Sequence, residues 1–266
     1  MLLNHESITG SPKLSLPFKV YNGNRSSRIV LVCDHATNHV PKWLNGGSLG
    51  LNGSDMARHV AHDIGAAGVT RHLADTLDAT AVLSNFSRLV IDPNRGETDP
   101  TLIMQICDGI VVPANRSISP RERECRLKRC HRPYHGTISS VLDEIDDPVV
   151  LSIHSFTPRM WTGPKRPWNI GVLSSTDRRI ADPLLALLND HAGLVVGDNR
   201  PYAGRLPGDT IDRHAFQSGR FHSLVEIRND QIETESSQRE WAEFLAPILR
   251  RVVDCATGSV DCQRRT

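Results

Sequence analysis

Short apolar, β-branched runs alternate along this chain with stretches whose apolar residues recur every three or four positions. That alternation predicts an α/β fold. Strands are expected at 28–33, 81–83, 89–91, 149–153, 170–173, 194–196 and 222–227. Met56, Val60 and Ile64 are spaced four apart, which predicts an amphipathic helix over 55–67 capped by Ser54 or Asp55. Further helices are expected at 121–144, interrupted at Pro133, at 182–191 and at 237–255. Residues 1–26, with Gly10, Pro12 and Pro17 and little periodicity, read as an irregular arm. The segments 96–120 and 197–221 are longer than ordinary connections, and such loops commonly bind or cover ligands. The architecture expected is a single domain spanning 1–266: a three-layer α/β/α arrangement with a mixed, largely parallel central sheet covered on both faces.

Charge narrows the choice of partner. Thirty-one Lys plus Arg stand against 30 Asp plus Glu, a balance that points to neither nucleic acid nor an anionic membrane. The Arg-dense stretch 121–132 reads as a solvated helix face, since no aromatic residues interleave there to stack bases. No stretch approaches the ~20 apolar residues needed to cross a bilayer, and the amino terminus lacks a signal-peptide pattern. A cytoplasmic protein is expected. The six cysteines show no Cys-x-x-Cys spacing and are expected as reduced thiols, Cys33 as a buried structural one.

Three polar clusters follow predicted strands, and in open α/β sheets ligands bind outside the carboxyl ends of strands. His35 follows the run at 28–33, His154 ends the run at 149–153, and Glu226 ends the run at 222–227. Zinc favours imidazole and carboxylate ligands, and a catalytic site usually takes three from the protein. His35 and His154 are the imidazole candidates. The third ligand is either Asn38, through its carbonyl oxygen, or Asp34, which alternatively orients His35. His131 and His135, at i and i+4, form a rival pair whose geometry Pro133 disturbs, which leaves His135 as a substrate contact or a structural residue. Glu226 is the candidate general base, with an ion pair to Arg228 as the alternative. Arg88 and Arg95, with Asn94, would suit an acidic small molecule because a guanidinium forks onto a carboxylate. The alternative is an ion pair from Arg95 to Asp92 or Glu97.

Taken together, the stretches 33–41, 87–95, 152–158, 199–204 and 226–230 resemble the N-formylglutamate amidohydrolase family, which is similar in fold to zinc exopeptidases. The resemblance implies a hydrolase holding a divalent metal, zinc by expectation, on His35, Asn38 and His154. Its substrate would be N-formylglutamate or a similar N-acyl amino acid with free carboxylates. Glu226 and Arg88 would be catalytic, with Asn94 and Arg95 holding a substrate carboxylate. Tyr202 would close over the substrate or pack, and Arg213 and His214 would complete the pocket. Two alternatives remain: a metallocarboxypeptidase-like peptidase, and a non-catalytic protein binding a carboxylated metabolite, which is kept open by Asn38 standing where the similar His-x-x-Glu element of zinc carboxypeptidases has glutamate.

Overall fold

The computed structural model describes residues 15–23 and 25–258, so most of the expected irregular arm lies outside the described residues. Among the described residues nine strands run in chain order: β1 (Phe18–Tyr21), β2 (Ile29–Cys33), β3 (Thr80–Ser84), β4 (Ile106–Cys107), β5 (Ile110–Val111), β6 (Val149–Phe156), β7 (Ile170–Leu173), β8 (Val196–Asp198) and β9 (His222–Arg228). Seven form one sheet in the order β1-β3-β2-β6-β9-β7-β8, while β4 and β5 make a separate hairpin. The β2–β3, β2–β6, β6–β9 and β7–β8 pairs are parallel; β1–β3 and β7–β9 are antiparallel. The sheet is mixed and largely parallel, as the sequence predicts.

Helices cover both faces: α1 (Gly53–Met56), α2 (Ala66–Leu77), α3 (Pro120–Arg126), α4 (Arg132–Asp143), α5 (Ala181–Asn189) and α6 (Glu235–Ala256). Alternation along β2 divides the two cores. Ile29, Leu31 and Cys33 pack with α2, α5 and α6, while Val30 and Val32 pack with Leu127, Cys130, Tyr134 and Ile138 around α4. Both cores bury β2 completely, which is why it reads as a continuous apolar run rather than an alternating one. Helix α6 buries Ala242, Leu245, Ala246, Leu249, Val252 and Val253, one stripe at helical spacing, and starts two residues before the predicted boundary because Thr234 caps it reciprocally with Ser237.

Several expectations are corrected. The helix predicted over 55–67 is broken in its middle: residues 57–65, between α1 and α2, turn irregularly, with Asp63 N donating to His35 O and Ser87 Oγ to Ala61 O. Those tertiary bonds outweigh the i, i+4 spacing. The run 89–91 is a buried turn rather than a strand, and its carbonyls are satisfied by side chains: Asn115 Nδ2 donates to Leu89 O and Arg126 NH1 to Val90 O. That task explains a fully buried arginine at Arg126. Helices α3 and α4 are joined without a break by a π turn, Leu127–His131, directly ahead of Pro133, so the proline does not interrupt the helix there. Strand β8 lies two residues later than predicted, and β1 was not anticipated. Cys33, Cys107, Cys125 and Cys130 are free thiols, but Cys255, near the end of α6, is disulfide-bonded, against the expectation of reduced thiols.

Candidate active site

The carboxyl ends of parallel strands β2, β3, β6 and β9 share one edge, and a cleft of about 1290 Å³ opens there. His154 on β6 stands directly opposite Glu226 on β9 in the register, so their side chains share a face. His35 lies just past β2. Together with Asp63 these residues line the cleft.

His35, Asp63 and His154 are all buried and place one nitrogen or oxygen each within 4.8 Å of the others. His35 Nδ1 and His154 Nδ1 lie 3.3 and 2.9 Å from the same oxygen, Asp63 Oδ2. On the far side of each ring, Nε2 meets a second buried carboxylate: Asp92 Oδ1 at 2.7 Å for His35 and Asp34 Oδ2 at 3.0 Å for His154. Metal-binding histidines commonly pair the free ring nitrogen with a carboxylate, which fixes the ring and raises its basicity. Two Nδ1 atoms and a carboxylate converging in this way match a zinc-type donor set, and Asp63 Oδ1 is buried with no hydrogen-bond partner.

The group that could hold a metal thus brings Asp63, and not Asn38, to the two histidines. The Asn38 amide donates to Met56 O at 2.8 Å and is not part of the cleft lining. Asp34 meets the ring of His154 rather than that of His35, and also accepts hydrogen bonds from Tyr134 and Thr210. The Asp-Ile-Gly step before an apolar helix marks the turn that carries Asp63 but not its place beside the histidines. Gly65, with φ +80°, turns the chain into α2, and a Cβ there would lie 2.2 Å from Ile232 O.

Glu226 is buried, and its Oε2 has no hydrogen-bond partner. Burial pushes its carboxyl up to about 7 against the attraction of His154. The alternative pairing with Arg228 is not made, since Arg228 bonds Asp230 at 2.8 Å. Arg88 lines the cleft and is fixed by Asp92 Oδ2 at 2.8 Å. Burial opposes ionisation of Asp92, but Arg88 and His35 hold it well below the usual carboxylate range.

Asn94 and Arg95 also face the cleft. Arg95 donates to Thr101 Oγ1 and Asn94 O and, among the described residues, makes no ion pair, so the alternative pairing to Asp92 or Glu97 is absent. Tyr202 stands partly exposed in the lining, its hydroxyl accepting from Arg166. His135 and His214 do not line the cleft: they bond to each other at 2.9 Å and lie behind the Asn94 turn. Their expected substrate contact is corrected, since packing of α4 against residues 93–95 places the rings behind the backbone. His59, not singled out by the sequence, does line the cleft, with Nδ1 unpartnered and 3.5 Å from Asp63 Oδ1. Burial lowers its pKa to about 4.

This chain is 33% identical to a gene product from Agrobacterium tumefaciens of known structure, with a TM-score of 0.85 over 91% of this chain and 97% of that one. A structure of N-formylglutamate amidohydrolase from Ralstonia eutropha shares the fold at 18% identity, with a TM-score of 0.67 over 92% of this chain and 100% of that one. An N-formylglutamate deformylase of Pseudomonas putida is 29% identical over 197 residues, 67% of this chain and 70% of that protein. The family profile for N-formylglutamate amidohydrolase matches residues 27–233, a span holding all the strand-end residues that meet in the cleft. The strand-end cluster thus belongs to a lineage already defined by sequence, and this chain is a member of the N-formylglutamate amidohydrolase family.

Proposed function

We propose that the protein hydrolyses the amide bond of N-formylglutamate or a similar N-acyl amino acid, at a site holding a divalent metal on His35, Asp63 and His154. The observation that carries this reading is Glu226, whose buried, unpartnered Oε2 belongs to the residue directly across from His154 in the cleft. A zinc-type ion in such a donor set supplies Lewis-acid polarisation of the acyl carbonyl.

The chain's own residues account for the rest. Glu226, with a pKa raised to about 7, is matched to accept a proton near neutrality. It takes the proton from the attacking water as the new C–O bond forms, then delivers it to the leaving nitrogen as the C–N bond breaks, giving formate and the free amino acid. Arg88, clamped by Asp92, presents its guanidinium to the carbonyl oxygen as negative charge gathers there. Asn94 and Arg95 hold the substrate carboxylate, Arg95 making no ion pair among the described residues. Tyr202 narrows the cleft mouth from a position fixed by Arg166.

Glu226→Gln tests this. Its kcat on N-formyl-L-glutamate is expected to fall by on the order of 10²- to 10⁴-fold, the usual worth of general-base catalysis, with bound metal unchanged. Undiminished turnover in that variant would sink the assignment. Turnover of short peptides, but not of N-formyl or N-acetyl amino acids, would replace the substrate class with a peptidase's.

A further inference from the structure

The sequence-predicted histidines that stay out of the cleft form a group with a defined set of bonds. His131 ends the π turn, and His135 lies four residues on, in the first turn of α4. Their rings are 4.4 Å apart. His135 Nε2 donates to Pro93 O at 2.9 Å, and His131 Nε2 donates to Arg95 O at 2.9 Å. The two histidines therefore grip the backbone carbonyls on either side of Asn94.

His214, from the π-helical turn Asp212–Phe216, completes the group. Because His135 Nε2 carries the proton donated to a carbonyl, its Nδ1 must accept, and His214 Nε2 donates to it at 2.9 Å. One tautomer follows from the other. On the opposite side of the turn, Thr210 N donates to Asn94 Oδ1 at 3.2 Å, and Thr210 Oγ1 donates to Asp34 Oδ1 at 2.6 Å. Asn94 Nδ2 is left without a protein partner among the described residues, and its residue lines the cleft.

Two other roles fail on these bonds. A metal site is ruled out because both Nε2 atoms of the α4-side pair already donate to carbonyls and His135 shares a proton with His214, leaving only His131 Nδ1 unpartnered. A proton relay fails because the chain ends on Pro93 O, a carbonyl with no proton to pass on.

We propose that His131, His135 and His214 are positioning residues for the carboxylate clamp: they fix the backbone at 93–95 so that the Asn94 amide and the Arg95 guanidinium together meet the α-carboxylate that every N-acyl amino acid carries. This rests on the reading that Asn94 and Arg95 bind a substrate carboxylate. Fork-like recognition depends on geometry, and a turn free to rotate presents its two donors independently.

The test uses the protein as purified and measures calorimetric binding of L-glutamate and of its α-carboxamide, isoglutamine. His135→Leu is expected to weaken glutamate binding about tenfold, as loss of a buried hydrogen bond that orders the turn would. Isoglutamine, which lacks the α-carboxylate, should bind within about twofold of wild type. His135→Gln, whose amide can donate to Pro93 O, should recover most of the loss. His131→Asn, which stays polar but is too short to reach Arg95 O, should repeat the pattern and covers the case in which the leucine variant does not fold. Equal loss for both ligands, no loss for either, or no recovery with Gln would overturn the proposal, as would a wild type with no preference for glutamate. A wild type that binds glutamate but cleaves no N-acyl amino acid would defeat the hydrolase reading and leave the clamp standing.

Discussion

At the carboxyl ends of β2 and β6, His35 and His154 meet a carboxylate on each ring nitrogen, whereas behind the 93–95 turn His131, His135 and His214 meet backbone carbonyls and one another. All five rings are buried, so burial does not separate the groups. Their partners do. Burial alone would lower the His154 pKa, but the bonds to Asp34 and Asp63 reverse this and hold it well above the ordinary value. His135 is held well below the ordinary value by burial and by its histidine neighbours, and burial lowers His214 to about 4. Carboxylates make a histidine a cation or a metal ligand; carbonyls make it a neutral strut.

The most damaging way to probe this contrast is Asp63→Ala, which removes the one residue bonded to both Nδ1 atoms. Loss of an outer partner of a metal-binding histidine costs 10–100-fold in affinity, so loss of the shared donor should cost more than about 100-fold. Zinc titration of the purified variant, read by calorimetry, measures it. His135→Leu should keep wild-type zinc affinity in the same assay, since its group holds no metal donor. If Asp63→Ala retained full zinc affinity, the third position would return to Asn38.

How much of this was legible in the sequence follows from the range of the interactions. Strands β2, β6, β7 and β9 were readable because burial on both faces leaves a short apolar, β-branched run in each. His35, His154 and Glu226 were readable because each closes such a run. Asp63 was not, because the spacing of Met56, Val60 and Ile64 imitates a helix while the actual path is set by bonds to His35 and Ser87, distant in sequence. The contrast between the histidine groups was equally hidden. His135 and His154 look alike as letters, and only the fold shows that one ring faces Asp34 and Asp63 and the other Pro93 O.

A smaller effect separates the groups by the sign of their linkage to pH in metal-free protein. His214 has a folded pKa of about 4 against about 6.5 unfolded, so between these values the unfolded chain binds the extra proton. Its contribution is fully present above pH 6.5 and is lost as pH falls toward 4, on the order of 2 kcal/mol after allowance for relaxation. His154, raised in the fold, contributes below its unfolded pKa and loses that contribution as pH rises through the folded one. Urea unfolding should show the cost of His214→Gln shrinking as the solution is acidified from about pH 6.5 toward 4, and the cost of His154→Gln growing as it is acidified toward about pH 6.5 from above and levelling off below. Parallel trends in the two variants would mean that partner chemistry does not divide these histidines.

The smallest effect is expected at Ser139, which meets His214 Nδ1 at 3.5 Å, the limit of a useful hydrogen bond, from an exposed position on α4. Water can take the place of that hydroxyl, so Ser139→Ala should cost less than about 0.5 kcal/mol in urea unfolding. Glutamate binding should not change, because the His214 tautomer is already dictated from the other side by the proton His135 donates to Pro93 O. The direction of control is what this variant measures. Were Ser139→Ala to weaken glutamate binding as His135→Leu does, the chain would be set from its solvent end, and a surface hydroxyl would govern the clamp that the buried carbonyls are expected to govern.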